Sequence, residues 1–300
     1  MGYFFIVIAA VLTTVMFAVE DSLSKKAVAG LGTMRPAVYV LAIGLLPILL
    51  YAVVLGQWHI GWDVAALALV AGGLLASGYV LAYKSVRSEM VTTTYTLNEL
   101  QPAFLVLFGL FVMNEGITMA EALGMLVIFI GAAFLFTTER HGINVKLGPA
   151  AIANVAWALN WFFVIFAIED AHAFAVPLLA TRFLGMVLLL VYMGAVRAKE
   201  GRRHSAYAQN RHERMRGGLL AAGAAVAAIV AVMGLLDGMA NTLFAYIAFM
   251  NYVAVGSAIT ALGPIFIALL GYALYRDRLT RLQMAGFVVM VAGAVVLSVL

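Results

Sequence analysis

With 300 residues, 65% of them hydrophobic and only 11% charged, and a mean hydropathy of +1.05, the chain lies outside the range of soluble globular domains, and lipid solvates most of it. The absence of cysteine excludes a disulfide framework, a thiolate nucleophile and a Cys metal site. The formal net charge of +4 says little until the basic residues are placed along the chain.

Apolar runs set against polar punctuation predict an all-α polytopic membrane protein. The expected helices are ten, at 3–29, 36–55, 63–86, 90–113, 119–138, 149–168, 175–196, 219–246, 252–275 and 281–299. The first run, YFFIVIAAVLTTVMFAV, lacks a basic leader and is followed by EDSLSKK rather than a small-residue cleavage site, so it reads as a mature helix. Glu20 and Asp21 sit deep in it. Lys25, one turn beyond Asp21, makes a structural pair the reading there, which leaves Glu20 as a cavity candidate.

In helix 3, Tyr79 and Tyr83 form an i, i+4 pair that either lines a cavity or packs, while Lys84 and Arg87 near the helix end snorkel to the interface. In helix 4, TYTLNELQP places Glu99 in the middle of an apolar run, one turn from Tyr95 and next to Asn98. A charged carboxylate at that depth costs several kcal/mol, roughly 3 on insertion scales, so it needs a proton, a cation or water. Pro102 and Pro264, read as lying inside helices 4 and 9, remove the N–H groups that would bond the carbonyls of Asn98 and Thr260. Such carbonyls are tolerated where protein or a wet cavity satisfies them, so both prolines read as interior hinges, with a plain packing kink as the alternative. Helix 6 brings Trp157, Asn160 and Trp161, as cavity lining or as packing. Helix 7 brings Arg182, placed to meet a substrate carboxylate or a buried acid, and helix 8 brings Asp237 with Asn241 one turn on.

Sliding the chain by 162 residues lays LQPAFLVLFGLFVMNEGITMAEALGMLVIFIGAAFL over LGPIFIALLGYALYRDRLTRLQMAGFVVMVAGAVVL without a gap. Pro102 meets Pro264, Gly109 meets Gly271, Glu115 meets Asp277, Thr118 meets Thr280, Gly124 meets Gly286 and Gly131 meets Gly293. The expected division is a first five-helix repeat at 1–138, a linker at 139–148 and a second repeat at 149–300 that contains a basic loop at 197–218. Since five is odd, the second copy enters the membrane from the opposite side, giving inverted-topology repeats of the kind transporters use to flank a midplane site.

Those two segments, with the helix-Pro start, acidic turn, Leu-Thr and following glycines of the second, resemble the closing segment of EamA-type carriers in the drug/metabolite transporter superfamily. WALNWFFVIFAI, followed by PLLATRFLGMVLLL with Arg182, is similar to the opening of such a repeat. The first half departs from it, with no Trp-Gly in MFAVEDSLSKK and Leu41 where the second half has Arg182. The resemblance implies a ten-helix secondary carrier and leaves its substrate open. It also implies cytoplasmic termini, whereas the charge pattern argues otherwise. Lys25, Lys26, Arg35, Lys84, Arg87, Arg140, Lys146, the basic residues between Arg197 and Arg216, and Arg276, Arg278 and Arg281 all fall on the side of the odd-numbered loops. That side is then cytoplasmic and both termini lie outside.

No H-E-x-x-H, phosphate-binding loop or G-x-S-x-G occurs, and the histidines lack metal-ligand spacing. An enzyme, a metal site and a cofactor are therefore not expected. The expectation is a secondary transporter in the plasma membrane, monomeric and without nucleic-acid partners, that exports a small zwitterion such as an amino acid with protons as a coupling ion. If Arg182 is turned away from the cavity, the alternative is an organic cation or drug exported in exchange for protons.

Overall fold

The computed structural model of the protein describes residues 2–88, 91–96, 100–136, 148–203, 223–276 and 281–299. All regular structure among them is helical: α1 (Gly2–Leu31), α2 (Met34–Leu55), α3 (Trp62–Ser88), α4 (Val91–Thr96), α5 (Leu100–Phe111), α6 (Met119–Phe136), α7 (Gly148–Ala171), α8 (Ala175–Arg203), α9 (Ala224–Phe249), α10 (Val253–Thr260), α11 (Gly263–Tyr275) and α12 (Arg281–Val299). Among the described residues seven stretches are long and apolar enough to cross a membrane: α1, α2, α3, α7, α8, α9, and α10 with α11 taken together. α6 and α12 carry shorter apolar stretches, Ala122–Gly131 and Met284–Gly293. Of the expected fourth crossing the structure describes α4 and α5, with residues 97–99 outside the described chain.

These helices hide small residues and show large apolar ones. α2 buries Ala37, Val40, Leu41, Gly44 and Ile48 at helical spacing and turns Leu46, Leu50 and Val54 outward. Lipid is as apolar as leucine, so nothing drives the large side chains inward, and close backbone approach through small residues does the packing instead.

The start residues of three first-half helices recur 162 positions on: Trp62 with Ala224, Val91 with Val253, and Met119 with Arg281. α1 and α2 are displaced from α7 and α8 by less, because the long basic loop follows α8 and adds length only to the second half. The α6–α12 contact carries the same relation into three dimensions. A Cβ on Gly131 would stand 2.7 Å from the Gly286 carbonyl oxygen, and a Cβ on Gly293 would stand 2.9 Å from that of Gly124. Because Gly131 matches Gly293 and Gly124 matches Gly286, position i meets j while the copy of i meets the copy of j, which is the contact pattern of a two-fold-related pair.

Pro264 differs from its expected place, whereas residues 97–99, shortly before Pro102, lie outside the described chain. Pro264 occupies the first turn of α11 after a break at Ala261 and Leu262, and Pro102 is the third residue of α5. A first-turn N–H has no intrahelical acceptor, so Pro264 costs no hydrogen bond there and marks the restart of a broken helix rather than a kink in a continuous one. A carboxylate also joins the halves. The Val253 and Ala254 N–H groups at the start of α10 donate to Glu115 Oε1 at 2.6 Å and Oε2 at 2.7 Å. The residue before α10, Tyr252, supplies no side-chain cap, so Glu115 satisfies two N–H groups that the helix itself cannot.

Candidate functional site

The centre of α1, with α3, α5, α7, α9 and the break between α10 and α11, encloses a cavity of about 110 Å³. α1 lines it with Thr14, Phe17, Glu20 and Asp21, which share one face through three- and four-residue spacings. Tyr79 comes from α3, Gln101 and Pro102 from α5, and Trp157, Asn160 and Trp161 from α7. Asp237, Asn241 and Phe244 come from α9, and Thr260 and Gly263 from the break between α10 and α11. Among the described residues, the lining holds three carboxylates and no basic side chain.

Its polar centre begins with an ion pair. Arg182 of α8, fully buried, pairs with Asp237 of α9. The Tyr79 hydroxyl and the Asn241 amide also donate to Asp237 Oδ1, the latter at 2.9 Å, and the same Asn241 nitrogen donates to the Asp237 carbonyl at 2.7 Å. Room for the pair comes from α2. A Cβ on Gly44 would stand 2.9 Å from Arg182 Nη2 and 3.0 Å from Asp237 Oδ2, so only glycine lets α2 pass here without displacing the pair. The Asp237 carboxylate is therefore held by two hydrogen bonds at Oδ1 and by the ion pair at Oδ2.

Glu20 is placed differently. It is 3% exposed, lines the cavity, and accepts one hydrogen bond, from the Tyr83 hydroxyl at 3.3 Å, with no cation inside ion-pair distance among the described residues. Aromatic rings surround this end. The Tyr79 ring meets those of Trp157 at 5.6 Å and Tyr83 at 5.7 Å, each edge to face, and Trp161 meets Phe244 at 4.6 Å. Ring faces and carboxylates around a small volume attract cations, most strongly once water is displaced.

Of the residues singled out in the sequence, the cavity gathers Glu20, Tyr79, Pro102, Trp157, Asn160, Trp161, Asp237 and Asn241. Asn160 is partly committed to structure, since its Nδ2 donates to the Ala71 carbonyl at 2.9 Å. Tyr83, Tyr95 and Arg182 stand behind the wall. Tyr83 supports Glu20, and the Tyr95 hydroxyl donates to Ser24 Oγ at 2.8 Å, tying α4 to α1. Pro264 is buried beside the lining residue Gly263. Asn98 and Glu99 lie outside the described residues. Sequence reasoning passed over Thr14, Phe17 and Gln101. The first two share the helical face of Asp21, and that spacing was the available signal.

The model of the EamA-like transporter family matches residues 4–137 and again 148–299, covering nearly all of the chain in two copies. No curated protein matches the sequence. A solved crystal structure is similar in fold, with a TM-score of 0.66 and 15% identity over 97% of this chain and 94% of the other.

Proposed function

We infer that this chain, which belongs to the EamA-like transporter family, is a multi-pass membrane transporter that carries a small organic cation and returns protons on the same carboxylate. The observation that supports this reading is the balance of buried charge. Among the described residues the buried ionisable acids and bases are Glu20, Asp237 and Arg182, and Arg182 is already paired with Asp237. Glu20 feels the Arg182 charge but has no ion-pair partner of its own among the described residues, so it is only partly compensated in a low-dielectric interior, a state relieved by a proton or by a cation bound from the cavity.

Arg182 also decides between cargoes. A zwitterion needs a positive group to receive its carboxylate, and the arginine that could have served is absent from the lining and engaged by Asp237. A bulky drug fits poorly in about 110 Å³, so a compact ammonium, held by Glu20 and the faces of Tyr79 and Trp157, suits the site best. Glu99, the carboxylate the sequence brings forward first, stays a second candidate for the coupling proton. Two inverted halves, 1–138 and 149–300, rock about hinges at Pro102 and Pro264 and expose Glu20 to each side in turn. In a plasma membrane whose proton gradient points inward, a carboxylate that accepts either a proton or an ammonium moves the cation outward.

The test uses purified protein in liposomes with an imposed pH gradient. Small primary and quaternary amines, but not neutral amino acids, should raise the melting temperature and be driven by the gradient, because a ligand stabilises the state it binds. Glu20→Gln should abolish gradient-driven uptake at least tenfold while the protein remains folded. Stabilisation by amino acids alone, or wild-type rates in Glu20→Gln, would overturn the assignment and return the coupling role to Glu99.

A further inference from the structure

We propose that the groove between the start of α2 and the final turns of α8 is a binding site for one anionic phospholipid of the inner leaflet. The groove encloses about 330 Å³ and is bracketed by two guanidinium groups, those of Arg35 and Arg197, with Val38, Leu190 and Met193 forming its apolar wall. It lies away from the transport cavity and shares no residue with it.

Three observations identify the occupant. The first is charge. Neither arginine has an ion pair or hydrogen bond to another described residue, yet both face one small volume, where like charges repel unless an anion sits between them. A phosphodiester offers that anion, with oxygens spaced for the planar fork of arginine.

The second is depth. Arg35 is the second residue of α2, and Arg197 is the penultimate residue of the apolar span Ala175–Ala198. Both therefore sit at the level where apolar helix gives way to headgroups, on the side that carries nearly all the basic residues of the chain. The third is shape. Leu190 lies about two turns deeper than Arg197 and is 47% exposed, and a Cβ added to Gly194 would meet nothing within 4 Å. The groove thus stays open from the arginines toward the hydrocarbon, as a phosphate joined to an acyl chain requires. A free phosphate would use the arginines and leave the apolar wall uncovered, so the whole groove fits a lipid.

This inference is independent of the transported cargo. The experiment measures lipid retention by native mass spectrometry, with the purified protein released from micelles doped with phosphatidylglycerol or phosphatidylcholine at equal mole fraction. Wild type should retain one phosphatidylglycerol at least tenfold more readily than phosphatidylcholine. Arg35→Gln with Arg197→Gln should bring the two lipids level, and Gly194→Phe, which fills the groove and keeps both charges, should also lose the preference. Equal retention of both lipids by wild type overturns the proposal without any variant. Full displacement of the lipid by millimolar inorganic phosphate would show an anion site without a lipid component, and would overturn it as well.

Discussion

Removing the carboxylate of Asp237 would leave the Arg182 guanidinium fully buried with its counter-charge gone, while Tyr79 and Asn241 each lose an acceptor. Breaking a buried ion pair from one side costs about 3–5 kcal/mol, whereas replacing both partners with apolar residues of similar volume is often close to neutral. Asp237→Ala should therefore lower the melting temperature in detergent by several degrees. The double variant Arg182→Met with Asp237→Leu should recover most of that loss. A fully additive double variant would show that the two side chains do not stabilise each other. Asp237 and Arg182 were each conspicuous in the sequence as charges in apolar helices, but their union was not. They are 55 residues apart on successive described helices separated by the long basic segment, and α2 between them shows the need for space only as Gly44.

Among the elements, the eight-residue α10 depends on another half of the molecule for its cap. Glu115, in the turn between α5 and α6, holds the Val253 and Ala254 N–H groups. Burial raises the Glu115 carboxyl above its ordinary value, against the opposing pull of the two N–H donors. With the folded value above the unfolded one, the native state takes up this proton first. The group's contribution to stability is then greatest below the ordinary carboxylate value and declines as pH rises through the raised value. Glu115→Gln should remove that slope from a plot of melting temperature against pH. It should also leave one N–H without an acceptor, at about 1 kcal/mol, and speed hydrogen exchange in a peptide that spans Val253 and Ala254. Unchanged exchange there would show that α10 holds its first turn unaided. The acidic residue was legible through its match with Asp277, itself outside the described residues. Its role was not, because a capping contact between residues 138 positions apart leaves no periodic trace.

For the whole molecule, the distribution of lysine and arginine predicts which faces meet which compartment. The chain has no cysteine, so single introduced thiols report cleanly. His59→Cys, after α2, should react with a membrane-impermeant thiol reagent on intact cells, and Thr33→Cys, between α1 and α2, should react only after permeabilisation. The reverse pattern would place the termini in the cytoplasm, as the family resemblance implies.

What the sequence determined by itself was set by local chemistry and by self-comparison: the membrane environment, the extent of most helices, the repeated segment, and the acids that had to be answered for. Each of these depends on residues a few positions apart or on identity at a constant offset, and both survive in one dimension. Which acids face the cavity, and which of them is paired, was decided only by the tertiary structure, because helix rotation and pairing choose which side of a wholly apolar helix looks inward. An all-apolar surface in lipid carries no amphipathic stripe to announce that choice. Arg182, behind the wall, therefore went to Asp237, Glu20 was left in the cavity lining without an ion-pair partner among the described residues, and Pro264 restarted a helix that the hydropathy pattern had drawn as continuous.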